Sequence, residues 1–322
     1  MSESERTRLF LDPWSADYLP SIQAENGETV EGNIQVETGV ETVQWAPIAR
    51  KQAPPGSAAF VDGVRRIEAR IVGLPPQGIV HGIFATFATG ATVVTAGAAT
   101  FAGCRTARTL ILTSGLNRTE TLRVGNTELR FEGLSVPDAN PDSLLLKLQA
   151  LMREAEELLA RSLSTEVVFL DGPLPFFHEP PGLIVGVVKT IHRLYLGPGH
   201  MELVTRLRTG ERTPLFAVMS EGRNDRYSWY LRIAERRSIH HGFSGVIRLE
   251  ASAAGGIDAA VALADMSAAF LPRFASSANR DSRAPQNLTV VGALEEHLRN
   301  QMGDATLIQR AIEKRISEGL ML

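Results

Sequence analysis

The sequence predicts an α/β protein built on one mixed sheet, an antiparallel meander followed by parallel strands, flanked by helices. Three observations predict it. Between residues 58 and 95, apolar and alternating stretches succeed one another with only short turn signals between them, the pattern of antiparallel strands. From Pro141 an amphipathic helix runs almost directly into an apolar strand at 167 to 171, so a helix carries the chain back to the sheet. And the phrase Phe-Val-Asp-Gly at 60 to 63 returns as Val-Val-Phe-Leu-Asp-Gly at 167 to 172, two hydrophobic strands each ending in Asp-Gly.

In order along the chain, residues 1 to 48 read as an N-terminal arm, acidic and polar, with Trp14, Tyr18 and Trp45 as isolated anchors. Such a segment rarely folds alone and is expected to dock on the main body or on a second subunit. Lys51 to Gly56, KQAPPG, is a linker or turn, and residues 49 to 322 form the main domain. Strands are expected at 58 to 62, 64 to 73 and 79 to 95. In the second, Arg66, Glu68 and Arg70 alternate with Ile67, Ala69 and Ile71, the period of a half-buried strand. Residues 106 to 133 alternate again and read as an inserted hairpin turning at Gly125-Asn126.

Pro141-Asp142-Ser143 opens the helix. Its apolar stripe reads Leu144, Leu148, Leu151, Ala155, Leu158 and Leu159. On a wheel of 100° per residue, Glu157 points away from that stripe and Glu154 lies on its flank, from which a carboxylate can reach over a sheet edge. After the strand at 167 to 171 comes a loop rich in Pro and Phe, 173 to 181, then the apolar stretch 182 to 190, which delivers Lys189. Further strands are expected at 215 to 219, 227 to 233 and 245 to 250, an Ala-rich helix at 257 to 270, and terminal helices at 288 to 301 and 304 to 318.

Composition sets bounds. The chain has 322 residues, 44% hydrophobic and 21% charged, ample for a core, and a net charge of −3 that does not mark a nucleic-acid binder. Lys51, Lys147, Lys189 and Lys314 are the only lysines, so nearly all positive charge is arginine. Arg suits bidentate phosphate contacts, and a GC-rich genome yields the same bias. The single cysteine, Cys104, leaves no internal disulfide and no Cys-based zinc site, which fits a reducing cytoplasm. The N-terminus is polar and mixed in charge, unlike a signal peptide. Residues 71 to 104 carry no formal charge, but Pro75, Pro76, Gln77 and His81 and the Gly, Ala and Thr content read as buried strands, and no membrane span is expected.

The chemistry-bearing residues are Asp62, Glu154 and Asp171, from a first strand, a helix and a fourth strand. Taken singly each Asp-Gly is also a common turn dipeptide. Carboxylates gathered at one edge repel unless a cation sits between them. Mg²⁺ or Mn²⁺ favours such oxygen ligands, and two ions roughly 4 Å apart support phosphodiester hydrolysis. Lys189 is placed to hold a phosphate or developing charge, or simply to snorkel at a strand end.

A β-β-β-α-β order with acids on its first and fourth strands is the ribonuclease H-like arrangement. The sequence resembles the NurA nuclease family in FVDGVRRIEAR, in LMREAEELLAR leading into VVFLDGPL, in GVVKT and YSWYLRI, and in RAPQNLTVVGALEEHLRNQMGD, in that order and over roughly residues 45 to 310. The resemblance implies a manganese-dependent nuclease with 5′-to-3′ exonuclease and single-strand endonuclease activity. It further implies a homodimer that acts with the hexameric HerA ATPase in DNA end resection. By position it implies Asp62, Glu154 and Asp171 as metal ligands and Lys189 as the basic residue after the next strand. The family's C-terminal histidine is missing: Val291 and Gly292 stand in its place, with Asp281, Glu295 and His297 as the nearby substitutes. DNA contacts are expected from Arg65, Arg66, Arg232 and Arg193, with Trp229 and Tyr230 available for base stacking unless the core claims them. A non-catalytic subunit that binds DNA and the ATPase is the second reading. A kinase-like phosphotransferase is disfavoured because no Gly-rich phosphate loop is present.

Overall fold

The computed structural model describes residues 9–11, 34–49, 53–76, 78–174, 183–189, 194–220, 225–236, 240–277 and 285–320. Trp14, Tyr18, Lys51, Arg193 and Asp281, and most of the loop at 173 to 181, lie outside the described residues. The strands are β1 (Leu9–Leu11), β2 (Ile34–Thr38), β3 (Ser57–Gly73), β4 (Val80–Thr95), β5 (Ala98–Leu112), β6 (Glu120–Val124) and β7 (Thr127–Ser135), then β8 (Val167–Asp171), β9 (Ile184–Val188), β10 (Phe216–Ser220), β11 (Arg226–Arg232) and β12 (Val246–Ser252). The helices are α1 (Asp142–Ser162), α2 (Pro198–Arg206), α3 (Gly256–Phe270), α4 (Thr289–Gln301) and α5 (Ala305–Ser317).

They form one mixed sheet in the order β2-β10-β11-β12-β9-β8-β3-β4-β5-β7-β6, with β1 paired to β3 off that path. β3, β4 and β5 are an antiparallel meander. Helix α1 then returns the chain so that β8 lies parallel to β3, and β9 parallel to β8. The α/β class and the meander-then-parallel order are therefore as the sequence predicts, and the strand order β5-β4-β3-β8-β9 is the ribonuclease H-like one. Beyond β9 the sheet reverts to antiparallel pairing through β12, β11, β10 and β2.

Three expectations change. The strands expected at 58 to 62 and 64 to 73 are one continuous strand, since β3 pairs with β4 without a break across Asp62↔Gly90 and Gly63↔Thr89. Its irregularity falls instead at Ile67/Ala69. Residues 98 to 112 belong to the third meander strand, so the inserted hairpin is only β6 and β7, turning at Gly125 with φ 60°. And part of the stretch read as an arm is sheet: β1 pairs with β3, and β2 with β10. Residues 34 to 49 are also fastened by a buried triad, in which Arg212 donates to both carboxylate oxygens of Glu41 (2.8 and 2.9 Å) and to Asp265 of α3 (2.8 Å).

Two layers cover the sheet. On one face Phe60 of β3 and Phe169 of β8 stack at 5.2 Å between ring centroids and meet Phe270 at the end of α3 and Phe274 just after it. On the other, α1 buries Leu144, Leu148 and Met152 against Ile83, Ala85 and Ile111. Each such side chain contributes about 1.5–3 kcal/mol by leaving water. The stretch Ala253–Phe274, which contains α3, is long and apolar enough by length and composition to cross a membrane. Here α3 lies against β11 and β12 and puts Ala260, Leu263, Ala264 and Ala268 into the core.

Candidate active site

The β3–β8 register ends at Val61↔Leu170, so Asp62 and Asp171 are the next residues on two neighbouring parallel strands. Side chains alternate along a strand. Asp62 therefore shares the face of Phe60, and Gly63 turns to the face of α1. Helix α4 lies over Asp62: a Cβ on Gly90, its register partner, would stand 3.1 Å from Leu298 and 3.3 Å from Leu294. Glu295, next to Leu294, is buried beside the pair. Lys189 is the first residue after β9. Its ammonium donates to Asp171, with both carboxylate oxygens 2.9 Å away, and to Asn287 Oδ1 at 2.7 Å, at the entrance to α4.

The helix carboxylate is Glu156. Helix α1 buries Leu144, Leu148, Met152, Glu156 and Ala160, one residue per four along a single ridge, and Glu156 is the acid on that ridge. Glu154 is exposed, so the structure does not bring it to the cluster: two residues is a 200° turn of the helix, and the buried ridge is rotated from the stripe read off the leucines. Leu158, counted in that stripe, is 65% exposed. The buried Glu156 is matched by Arg153 one turn earlier, whose Nη1 donates to Glu156 Oε2 (3.2 Å) and to the Asp171 carbonyl (2.5 Å). Gly172, at φ 95°, leaves the space that the Arg153 guanidinium fills. Gly63 does the same for Glu156: a Cβ there would lie 2.5 Å from Glu156 Oε1 and 2.9 Å from Met152 Cγ. The space beside Gly63 is thus filled by the protein's own carboxylate.

Electrostatics set these acids apart from surface ones. Burial first, then the repulsion of Asp171, pushes the Asp62 carboxyl well above its usual range, with Glu156 and Glu295 adding and Lys189 opposing. Its Oδ1 accepts the Gly63 amide at 2.8 Å. Burial likewise pushes Glu156 up to about 7, against the pull of Arg153 and Arg65 and with the push of Asp171. Burial works to strip the proton from Lys189, but Asp171, Asp62 and Glu295 outweigh it and hold the ammonium above its ordinary value.

Of the expected DNA contacts, Arg65 is exposed, faces α1 with Gly63, and donates to Gln149. Arg66 is committed elsewhere: it pairs with both oxygens of Glu68 at 2.9 Å and donates to the Gly303 carbonyl beyond α4. Arg232 is buried and donates to the carbonyls of Leu207, Ser244, Gly242 and Thr205, so it ties loops together and is not a phosphate contact. Trp229 and Tyr230 are both fully buried, because β11 is covered on both faces; Trp229 Nε1 donates to Ser267 and Tyr230 stacks on Phe216. His297 stacks on Phe101 at 4.2 Å and Val291 is core, which leaves Glu295 as the α4 residue that reaches the acids.

The donor set suits a hard divalent cation. Asp62, Asp171, Glu156 and Glu295 offer oxygen only, and burial, with mutual repulsion, raises Asp62 and Glu156. Among the described residues no three ligating groups are gathered closely enough to hold a metal ion. Asp171 is engaged by Lys189 and Glu156 by Arg153.

The fold and the acids together define an α/β protein of ribonuclease H-like strand order with a buried acid cluster at the end of its parallel strands. No protein-family model matches the chain. No curated protein matches it either. Among solved structures it is similar to the crystal structure of the NurA nuclease from Sulfolobus solfataricus, over 85% of this chain and 88% of that one, at 10% identity and a TM-score of 0.43. A likeness that weak adds nothing to the reading of the site.

Proposed function

We propose that this chain is a metal-dependent deoxyribonuclease that hydrolyses phosphodiester bonds at DNA ends. The observation that carries the reading is the convergence of Asp62 and Asp171, on adjacent parallel strands, with the buried Glu156 of α1 and Glu295 of α4. Asp62, Asp171 and Glu156 would hold Mn²⁺ or Mg²⁺, with the nearby Glu295 substituting for the family's missing histidine. The bound ion would supply an activated water and offset the charge that develops on the phosphoryl oxygens. The chain's own groups do the rest: Arg153 orients Glu156, α4 keeps water from Asp62, and the exposed Arg65 binds a phosphate beside the acids. Two ions, 5′-to-3′ exonuclease and single-strand endonuclease activity, a cytoplasmic homodimer and a HerA-type hexameric ATPase as partner belong to the same proposal. The activities, the homodimer and the ATPase rest on the sequence phrases that resemble NurA, the cytoplasm on the single Cys104, and the two ions on the carboxylate chemistry.

A second reading is a weakly active or inactive subunit that binds DNA and the ATPase. The Lys189–Asp171 pair favours it, because an ammonium already occupies the oxygens that a metal would need. The deciding experiment is digestion of end-labelled single- and double-stranded DNA with Mn²⁺, Mg²⁺ or EDTA, comparing wild type with Asp62→Ala. Metal-dependent degradation lost in the variant supports the nuclease. No degradation by wild type, even with an added HerA-type ATPase, overturns it in favour of the inert subunit.

A further inference from the structure

We infer that Lys189 is the built-in counter-ion of the acid cluster, and that a divalent cation enters only by displacing its ammonium from Asp171. The inference rests on the metal-dependent reading above and adds what controls access to that site. An ammonium has three N–H donors. Two of them go to Asp171 Oδ2 at 2.9 Å and Asn287 Oδ1 at 2.7 Å, and Asp171 Oδ1 also stands 2.9 Å from Nζ. Asp62 and Glu295 lie close enough to stabilise the same charge. Lys189 thus stands among three acids from β3, β8 and α4, a position that favours a cation. Both oxygens of Asp171 lie 2.9 Å from that ammonium, so a cation that took Asp171 as a ligand would have to move it.

The arrangement is also built to release. Lys189 lies one residue past the end of β9, its side chain is 15% exposed, and it carries a flexible four-carbon stem. A doubly charged ion interacts twice as strongly as an ammonium with each carboxylate at the same distance. It can therefore replace the ammonium, but its apparent affinity is reduced by the work of displacing Lys189.

The test is Mn²⁺ titration of the full-length chain by calorimetry, without DNA, on wild type, Lys189→Met and Lys189→Arg. Lys189→Met removes the competing charge and is expected to bind Mn²⁺ about ten- to a hundredfold more tightly. Lys189→Arg, which keeps the charge, is expected to bind no more tightly than wild type. A folded Lys189→Met with unchanged or weaker Mn²⁺ affinity overturns the inference, as does an absence of Mn²⁺ binding in every protein. If Lys189→Met does not fold, Asn287→Ala decides, since it removes one acceptor of the ammonium and alters no carboxylate. Tighter Mn²⁺ binding supports the inference and unchanged binding overturns it. Tight binding by Lys189→Met with no DNA hydrolysis by either protein leaves the counter-ion assignment standing and sinks the nuclease reading instead.

Discussion

Glu156→Gln is expected to stabilise the protein at pH 8 and to leave it nearly unchanged at pH 5. Burial holds the folded-state carboxyl at about 7, against an ordinary 4.5 in the unfolded chain. A group raised in this way contributes its full stability below about pH 4.5 and loses it as pH rises through 7. The difference of about 2.5 pH units corresponds to about 3 kcal/mol at 1.36 kcal/mol per unit. Gln keeps the shape and still accepts a hydrogen bond from Arg153, so the variant removes the charge and little else. Urea denaturation at pH 5 and pH 8 should show the variant's advantage growing to about 2–3 kcal/mol at the higher pH, with unchanged m. Saturating Mn²⁺ at pH 8 should shrink that advantage, because a cation favours the ionised acid. A variant equally displaced from wild type at both pH values, or less stable than wild type at pH 8, would refute the burial argument.

Two further outcomes follow from the same geometry. Gly63→Ala should cost about 1–3 kcal/mol by overpacking against Glu156 and Met152. The cost should fall in a Glu156→Ala background, a coupling that a double-mutant cycle in urea measures. Arg65→Ala should change stability by less than about 0.5 kcal/mol while weakening DNA binding and lowering its salt dependence by about one counterion. Arg232→Ala, by contrast, should cost about 3 kcal/mol or more through its orphaned carbonyls and leave the salt slope of the folded fraction unchanged; fluorescence anisotropy across a salt series separates the two.

The fold was legible where periodicity and covalent order suffice. An antiparallel meander, a helix and a returning strand follow from residues 58 to 171 with no tertiary information, although Asp62-Gly63 reads as a break within what is one strand and β5 reads partly as hairpin. The Asp62–Asp171 pairing was legible for the same reason, since two apolar strands ending in Asp-Gly align their acids once they are parallel. The helix acid was harder. Leucines at 151, 158 and 159 pull the apparent stripe to one side, whereas the sheet takes the ridge through Leu148 and Met152. Continuing Leu144, Leu148 and Met152 by four reaches Glu156, and that signal was present in the sequence. What local pattern cannot supply is the partner: Arg153 makes the burial of Glu156 tolerable, and only the corner at Gly172 shows that it fits. Arg66 and Arg232 fail as DNA contacts for a related reason. A strand's arginine meets solvent or carbonyls according to what crosses it: the end of α4 reaches Arg66 from far along the chain, and the end of α2 and the turn at 242 close over Arg232.

The charge pairing around the site separates its two functional readings. Asp171 has Lys189, Glu156 has Arg153 and Glu295 has Arg299, each at 2.8–3.2 Å. Among the described residues Asp62 forms no ion pair within contact distance; its Oδ1 accepts the amide of Gly63, Lys189 acts on it only at longer range, and Asp171, Glu156 and Glu295 repel it. A purely structural site would gain by replacing it, because an unpaired buried carboxyl costs stability that Asn would not. Perturbed, under-compensated acids of this kind gather where a charge is to be received. Asp62→Asn therefore raises stability under either reading. Only a nuclease loses DNA hydrolysis in the same variant, and that pairing of a gain with a loss is the mark of a working site.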